Sequence, residues 1–281
     1  MGDTLRRGGL PGDRGWAAGA EDFALGPQAV HVWRAGLDVE AAQVETLREI
    51  LDENERSRAQ GFLFERDRRR FIVSHGVLRV MLGRYLGIEP KEIGFAQNAW
   101  GKPSVAAAAG GSARPTGALD LRFNMSHSHE LALYALAAGR EVGVDIEYVE
   151  SARACAEIAE RFFASDEAAA IKALPEESRP RAFFACWTRK EAYVKATGMG
   201  LSIPLDGFVV SIAPGLVLRS EAPLRRVADD SALLSTTFDE REAGRWSLID
   251  IAAGPLYAAA IAVQGHGFDL ELRDYSRTRR Q

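Results

Sequence analysis

The chain has 281 residues, a net charge of −4 and two cysteines, Cys155 and Cys186. This length suits one large domain or two of average size, and the slightly acidic balance excludes a general basic surface for nucleic acid or an anionic membrane. No apolar run reaches the about 20 residues of a membrane-spanning helix. Two cysteines give no disulfide framework, which favours a protein of the reducing cytoplasm.

Residues 1–28 are polar and rich in glycine, which predicts a disordered lead-in without the apolar segment of a secretory signal. Apolar and polar side chains alternate over residues 29–37, which predicts a strand. Residues 52–87 carry apolar side chains at helical spacing and predict two helices that end at Gly87. A short strand and a turn follow, and then a loop of small residues over 106–120.

The second half of the chain repeats this order of elements. Residues 121–138 predict two strands around a polar corner, and residues 141–150 predict a third. A helical pair over 164–200 again ends at a glycine and is again followed by strands. We therefore predict an α+β fold with two similar lobes, residues 29–139 and 140–281, and a ligand site at their junction.

The strand "EVGVDIEYVE", residues 141–150, places Asp145 and Glu147 side by side on the face opposite its apolar side chains. Two carboxylates on one strand face are hard oxygen ligands of the kind that Mg²⁺ prefers. Taken alone, they are more typical of a solvated strand face with two ordinary acidic residues.

The segment "WTRKEAYVK", residues 187–195, places Trp187, Glu191 and Lys195 on one helical face, with Lys190 beside them. A further carboxylate near lysines fits a cation that neutralises phosphate. The alternative interpretation is an ordinary glutamate–lysine pair on the helix surface.

The corner "FNMSHSH", residues 123–129, offers Asn124, Ser126 and His127 for phosphate binding. His127 and His129 could form half of a zinc site, but no second half is present. Ser126 lacks the strand–turn–helix setting of a hydrolase nucleophile. A structural role for a histidine at a turn remains the simple alternative.

The turn "WGKPSV", residues 100–105, adds a glycine that allows the bend, Gly101, and a point charge for phosphate, Lys102. A turn with a solvated lysine is the alternative. A run of arginines begins at Arg56, and most of such a run is typical of a solvated face, although one or two members could reach a phosphate. The run comprises Arg56, Arg58, Arg66, Arg68, Arg69 and Arg70.

Together, the order arginine, GKP, FNxSH, GVDIE and WxxKExxxK resembles the Sfp-type 4′-phosphopantetheinyl transferases. The resemblance runs from about Arg56 to about Phe208 and includes the segment "GMGLSIPLDGF". It implies two α+β lobes in pseudo-twofold arrangement, with the site at their junction. It also implies transfer of the phosphopantetheine arm of coenzyme A to a serine of an apo acyl or peptidyl carrier protein, with release of adenosine 3′,5′-bisphosphate.

The resemblance also implies roles for the residues of these motifs. Asp145, Glu147 and Glu191 are the expected Mg²⁺ ligands, with Mn²⁺ as a substitute. Glu191 is the expected base and Lys195 the expected aid to nucleotide departure. The expected contacts to coenzyme A come from the remaining motif residues, namely Arg58, Gly101, Lys102, Asn124, Ser126, His127, Lys190 and Lys195.

Two alternatives from other classes stay open at this point. One is a non-catalytic sensor of coenzyme A on the same fold, and the other is a metal-dependent hydrolase of a pyrophosphate bond. The resemblance favours the transferase, acting as a monomer with a carrier protein as its partner, and predicts no binding of nucleic acid or membrane.

Overall fold

The computed structural model of the chain describes residues 16–18, 23–106, 119–150, 155–212, 225–226, 233–236 and 242–275. The α-helices in these residues are α1 (Ala41–Glu49), α2 (Glu53–Gln60), α3 (Glu65–Leu86), α4 (Cys155–Phe162), α5 (Ser165–Ala173) and α6 (Arg179–Thr197). The strands are β1 (Ala17–Ala18), β2 (Ala29–Gly36), β3 (Phe95–Gln97), β4 (Pro103–Val105), β5 (Leu121–Ser128), β6 (Leu131–Ala138), β7 (Val142–Tyr148), β8 (Phe208–Val210), β9 (Arg225–Arg226), β10 (Leu233–Thr236), β11 (Trp246–Asp250), β12 (Tyr257–Gln264) and β13 (Asp269–Asp274).

Two sheets lie face to face between two layers of helices. Within the described residues, the larger sheet has the order β1-β13-β2-β6-β5, with β9 also paired to β13, and the smaller has the order β11-β12-β7. Strand β6 explains the layering, because its two faces enter different cores. Leu133 and Ala135 pack with β7 and β12 between the sheets, whereas Tyr134 and Leu136 pack under α1 and α3.

The two lobes repeat one topology. In the first, β2 and α3 precede the hairpin of β5 and β6, and β6 pairs with β2. In the second, β7 and α6 precede the hairpin of β11 and β12, and β12 pairs with β7. The predicted α+β fold with two similar lobes is therefore confirmed.

The chain differs from the predicted organisation at both of its ends. Strand β13 pairs in parallel with β2, so the segment after the second lobe returns to the first sheet. Within the predicted lead-in, Trp16 is buried, and just before β2 Phe23 stacks on Trp33 at 5.1 Å between ring centroids. Residues 1–15 and 19–22 of that lead-in, and residues 107–118 of the predicted 106–120 loop, lie outside the described residues.

Helix α4 is a further element that the sequence patterns did not predict. Cys186 is buried, as predicted, and both cysteines are free thiols. Among the helices that the structure describes, none combines the length and apolar character needed to cross a membrane.

Candidate active site

The site is built where β7 lies directly on α6. A Cβ atom added to Gly143 would stand 2.2 Å from the carbonyl oxygen of Ala192 and 2.3 Å from the amide nitrogen of Ala196. Only glycine allows this approach, which explains the first residue of the GVDIE motif. The contact brings Asp145 and Glu147 on β7 beside Glu191 and Lys195 on α6.

Strand β5 supports β7 through side chains rather than through a backbone ladder. Residues at every second position of β5 share one face. Asn124 Oδ1 accepts a hydrogen bond from the Val144 amide at 2.9 Å, and Ser126 Oγ donates to Asp145 Oδ1 at 2.8 Å. Ser128 Oγ accepts from the Tyr148 amide and donates to Glu147 Oε2, both at 3.0 Å. The polar corner predicted from the sequence therefore holds the carboxylate strand in place.

Asp145 is the most buried of the three acidic residues, with 2% of its surface exposed. Its Oδ1 atom lies 2.5 Å from Lys195 Nζ. Its Oδ2 atom is buried and has no hydrogen-bond partner among the described residues. Burial raises the pKa of Asp145, although the Lys195 ammonium offsets part of that rise. An unpartnered buried carboxylate oxygen is costly and fits a site that receives a cation.

Glu147 and Glu191 add two more carboxylates to the same region. Burial raises the pKa of Glu147 to about 7, and the charge of Asp145 adds to the rise. Burial followed by the charge of Asp145 also raises the pKa of Glu191. Mutual repulsion of three carboxylates favours a bound cation, and oxygen donors suit Mg²⁺. However, no three histidine, cysteine or acidic side chains in the described part of the chain are already grouped as metal ligands, so this ligand set stays a prediction.

Positive charges gather around His127 at the next position of β5. Part of this residue reaches solvent. Burial of the rest of its imidazole, followed by the charges of Lys195, Arg70 and Arg58, lowers its pKa. Arg70 Nε is buried without a hydrogen-bond partner among the described residues. Lys195 is paired with Asp145, but no ion pair of Arg58 or Arg70 is present in the described residues, and two such guanidinium groups suit a phosphate group. Arg70 was missed as a site residue, because the run of arginines resembled a solvated helix face.

Two cavities meet at the junction of the lobes. The first, of about 600 Å³, lies in the first lobe and is lined by Arg58, Phe71 and His75 among others. The second, of about 660 Å³, contains Glu191 and Lys195 together with the apolar wall of Phe162 and Trp187. Three residues line both cavities, namely Gly101, Pro103 and Asn124. A long ligand with a polar end and an apolar end can therefore lie across the junction.

The structure does not support the predicted phosphate contact of Lys190. This side chain is fully buried, and its ammonium lies 2.7 Å from Glu167 Oε2. It also donates to the carbonyls of Leu205 and Phe208 at 2.7 and 2.6 Å. The physical reason is helical rotation, because Lys190 is displaced by about 100° from its neighbour Glu191 and points into the core of the second lobe.

Ser126 and Lys102 also differ from their predicted roles. The single hydroxyl proton of Ser126 is donated to Asp145, so it is not available to a phosphate. The ammonium of Lys102 donates to Glu141 Oε2 at 2.5 Å and to the carbonyls of Ala196 and Val142 at 2.7 and 3.3 Å. These partners use its three protons, so the structure does not support a phosphate contact here either.

The comparisons with known proteins agree with this site. A sequence model of the 4′-phosphopantetheinyl transferase superfamily matches residues 141–248, and one of the N-terminal part of a 4′-phosphopantetheinyl transferase matches residues 38–139. The 4′-phosphopantetheinyl transferase HetI of Nostoc sp. is 34% identical over 260 residues, which cover 92% of this chain and 98% of HetI.

Two relatives from Bacillus subtilis match a shorter part. One, a 4′-phosphopantetheinyl transferase, is 27% identical over 61% of this chain and 71% of its own length. The other, the 4′-phosphopantetheinyl transferase Sfp of strain 168, is 27% identical over 58% of this chain and 67% of its own length. With both lobes matched, and with HetI similar along nearly its whole length, the chain belongs to the 4′-phosphopantetheinyl transferase family.

Proposed function

We propose that this protein transfers the 4′-phosphopantetheine arm of coenzyme A to a serine of apo acyl or peptidyl carrier proteins and releases adenosine 3′,5′-bisphosphate. The observation that carries the proposal is Asp145, whose buried oxygen has no partner among the described residues, beside Lys195 and two further carboxylates. Glu191 and Lys195 of this cluster line the cavity with the apolar wall, which shares Gly101, Pro103 and Asn124 with the polar cavity. Family membership supports coenzyme A as the donor substrate.

Coenzyme A has a charged nucleotide end and a largely apolar pantetheine arm. The cavity with Arg58 suits the nucleotide, and the guanidinium groups of Arg58 and Arg70, with the imidazole of His127 beside them, suit its 3′-phosphate. The cavity with Phe162 and Trp187 suits the pantetheine arm. The pyrophosphate between the two ends then reaches Lys195 at the junction.

We assign Asp145, Glu147 and Glu191 as the ligands of Mg²⁺, with Mn²⁺ as a substitute. The buried, unpartnered Oδ2 of Asp145 and the raised pKa values of Glu147 and Glu191 support this assignment. A bound divalent cation would supply neutralising charge for the pyrophosphate.

The residues of the chain perform the remaining steps. The carrier serine must lose a proton, and Glu191 is the proposed acceptor, because its carboxylate lines the cavity beside Lys195, where the serine has to approach. The serine oxygen forms a bond to the phosphorus that carries pantetheine, while the bridging bond to the nucleotide phosphate breaks. Lys195 donates hydrogen bonds to the departing phosphate, and Ser126, 3.0 Å from Lys195 Nζ, holds that ammonium in place.

The first test is the intact mass of an apo carrier protein after incubation with this protein, coenzyme A and Mg²⁺. A gain of about 340 Da, the phosphopantetheine unit, is expected, and it should disappear with EDTA and in the variant Asp145→Ala. Consumption of coenzyme A without a mass gain would support a pyrophosphate hydrolase instead. Binding of coenzyme A with neither change would support a sensor.

The oligomeric state and the cellular compartment are proposed from the two lobes and from the two cysteines. We propose a monomer, because both lobes that frame the site belong to one chain. Light scattering after gel filtration tests this, and a dimer mass would contradict it. We also propose a cytoplasmic enzyme, since Cys155 and Cys186 are buried free thiols.

A further inference from the structure

The hairpin of β3 and β4 reaches across from the first lobe to the end of α6. Asn98 organises its turn, because Asn98 Oδ1 accepts from the amides of Trp100 and Lys102 at 3.0 and 2.9 Å. Gly101 adopts φ +88° in this turn, a value that suits glycine. The turn thereby holds Lys102 and the Asn98 amide group toward the second lobe.

Helix α6 ends with carbonyl groups that have no partners within the helix. The hairpin supplies two of the missing donors. Asn98 Nδ2 donates to the Gly198 carbonyl at 2.7 Å, and Lys102 Nζ donates to the Ala196 carbonyl at 2.7 Å. A cation at this end also interacts favourably with the helix dipole. The fit is close, since a Cβ atom on Gly198 would stand 2.8 Å from Lys102 Cδ.

The same ammonium contacts the start of β7. Lys102 Nζ donates to Glu141 Oε2 at 2.5 Å and to the Val142 carbonyl at 3.3 Å. One side chain therefore joins the beginning of the strand that carries Asp145 to the end of the helix that carries Lys195. Its ammonium is nearly buried, with 14% of the side chain exposed.

We propose that Lys102 and Asn98 are positioning residues, which clamp α6 to β7 and so set the distance between Lys195 and Asp145. This inference rests on the proposed function, and it assigns the lysine of the GKP motif to the protein rather than to a phosphate. The clamp also fixes Gly101 and Pro103, which belong to the shared wall of both cavities.

The test separates positioning from phosphate binding by measuring two quantities. The variants are Lys102→Met, Asn98→Ala and, as a control, Lys91→Met at an exposed lysine of the same lobe. Calorimetry gives the Kd for coenzyme A, and the carrier assay gives kcat. We expect Lys102→Met to lower kcat by about 10- to 100-fold through misplacement of Lys195, with the Kd for coenzyme A nearly unchanged. Asn98→Ala should act in the same direction and Lys91→Met should have no effect.

The variant Glu141→Gln gives the sharpest contrast. If Lys102 were a phosphate ligand, loss of its carboxylate partner would free it and tighten coenzyme A binding. The clamp predicts no gain in affinity and a lower kcat. A tighter Kd for Glu141→Gln, or a raised Kd with unchanged kcat for Lys102→Met, would overturn the inference.

A second measurement does not depend on activity. Lys102 and Glu141 should show a non-zero coupling in a double-mutant cycle of unfolding free energies, and so should Lys102 and Asn98. If the wild-type protein failed to modify any carrier, the proposed function would be wrong, while these couplings and the Kd values would still decide the clamp. Additive effects for both pairs would reject it.

Discussion

Gly143 on β7 lies against Ala192 on α6 so closely that a Cβ atom on the glycine would stand 2.2 Å from the alanine carbonyl oxygen. Both contacting groups belong to the backbone, so neither can turn away as a side chain could. The contact sets how far the carboxylates of β7 stand from the glutamate and lysine of α6. Glycine at this position is therefore a requirement of the active site as well as of the fold.

The variant Gly143→Ala should accordingly lose both stability and activity. Overpacked sites usually cost about 1–3 kcal/mol, and a clash with backbone should reach the upper part of that range or exceed it. Denaturant unfolding measures the loss, and the carrier assay measures activity. Gly36→Ala is the matched control, because a Cβ atom at Gly36 would meet nothing within 4 Å. Wild-type stability of Gly143→Ala would show that the helix and strand can separate freely.

Arg58 and Arg70 should recognise one phosphate of coenzyme A rather than the whole ligand. Arg58 stacks over Phe71 with 5.3 Å from its guanidinium carbon to the ring centroid, and neither arginine has a carboxylate partner in the described part of the chain. We expect Arg58→Gln and Arg70→Gln each to raise the Kd for coenzyme A about tenfold or more. The Kd for 3′-dephospho-coenzyme A should stay unchanged.

Calorimetry with both ligands makes this measurement, and Arg66→Gln is the control, since Arg66 is exposed beside Asp67. Equal weakening of both ligands would move the two arginines from the 3′-phosphate to the pyrophosphate or the base.

His75 should make the protein sensitive to acid. Its ring stacks on Phe71 at 3.8 Å, and burial lowers its pKa from 6.5 to about 4, with the charges of Arg58, His127 and Arg79 adding to the shift. The unfolded chain therefore binds more protons than the folded chain between these pH values. The contribution of the neutral His75 to the free energy of unfolding is complete above about pH 6.5. It falls as the pH drops toward 4, by at most about 1.4 kcal/mol per pH unit.

Unfolding free energies of wild type and His75→Asn between pH 7 and pH 4 check this expectation. The variant should show a shallower loss, and the difference between the two curves should vanish in slope above about pH 6.5. Parallel curves across the whole range would mean that His75 does not titrate abnormally.

The sequence predicted the elements of the site better than their contacts. The alternation around Asp145 and the four-residue spacing of Glu191 and Lys195 are local patterns, and the structure places all three where those patterns indicated. Spacing along the chain does not say which neighbour faces the cavity. Lys190 therefore looked like a phosphate ligand although its side chain points into the core.

Long-range pairing was also invisible in the sequence. Nothing in residues 269–274 indicates a parallel partner at residues 29–34, because both segments are ordinary strands. The partners of Lys102 lie about 40 and 94 residues away, at Val142 and Ala196, so the GKP motif could not reveal its contacts. Arg70 was hidden for a different reason, since the surrounding arginines gave it no distinguishing pattern.

Lys190 supplies the last prediction, because its buried pair with Glu167 holds the segment that follows α6. Glu167 accepts from the amide of Val210 at 2.7 Å, and Lys190 donates to the carbonyls of Leu205 and Phe208. Lys190→Met would leave the buried Glu167 carboxylate without its cation, which should cost about 3–5 kcal/mol of unfolding free energy. The double variant Lys190→Met with Glu167→Gln should recover part of that loss, since no buried charge remains while the amide oxygen still accepts.

Lys172→Met is the matched control, because Lys172 pairs with Glu160 on the exposed surface and should contribute less than about 1 kcal/mol. The Kd for coenzyme A separates the two roles considered for Lys190. A core lysine predicts that folded Lys190→Met protein binds coenzyme A as the wild type does. A weaker Kd at unchanged stability would instead return Lys190 to the pyrophosphate, as the family resemblance first implied.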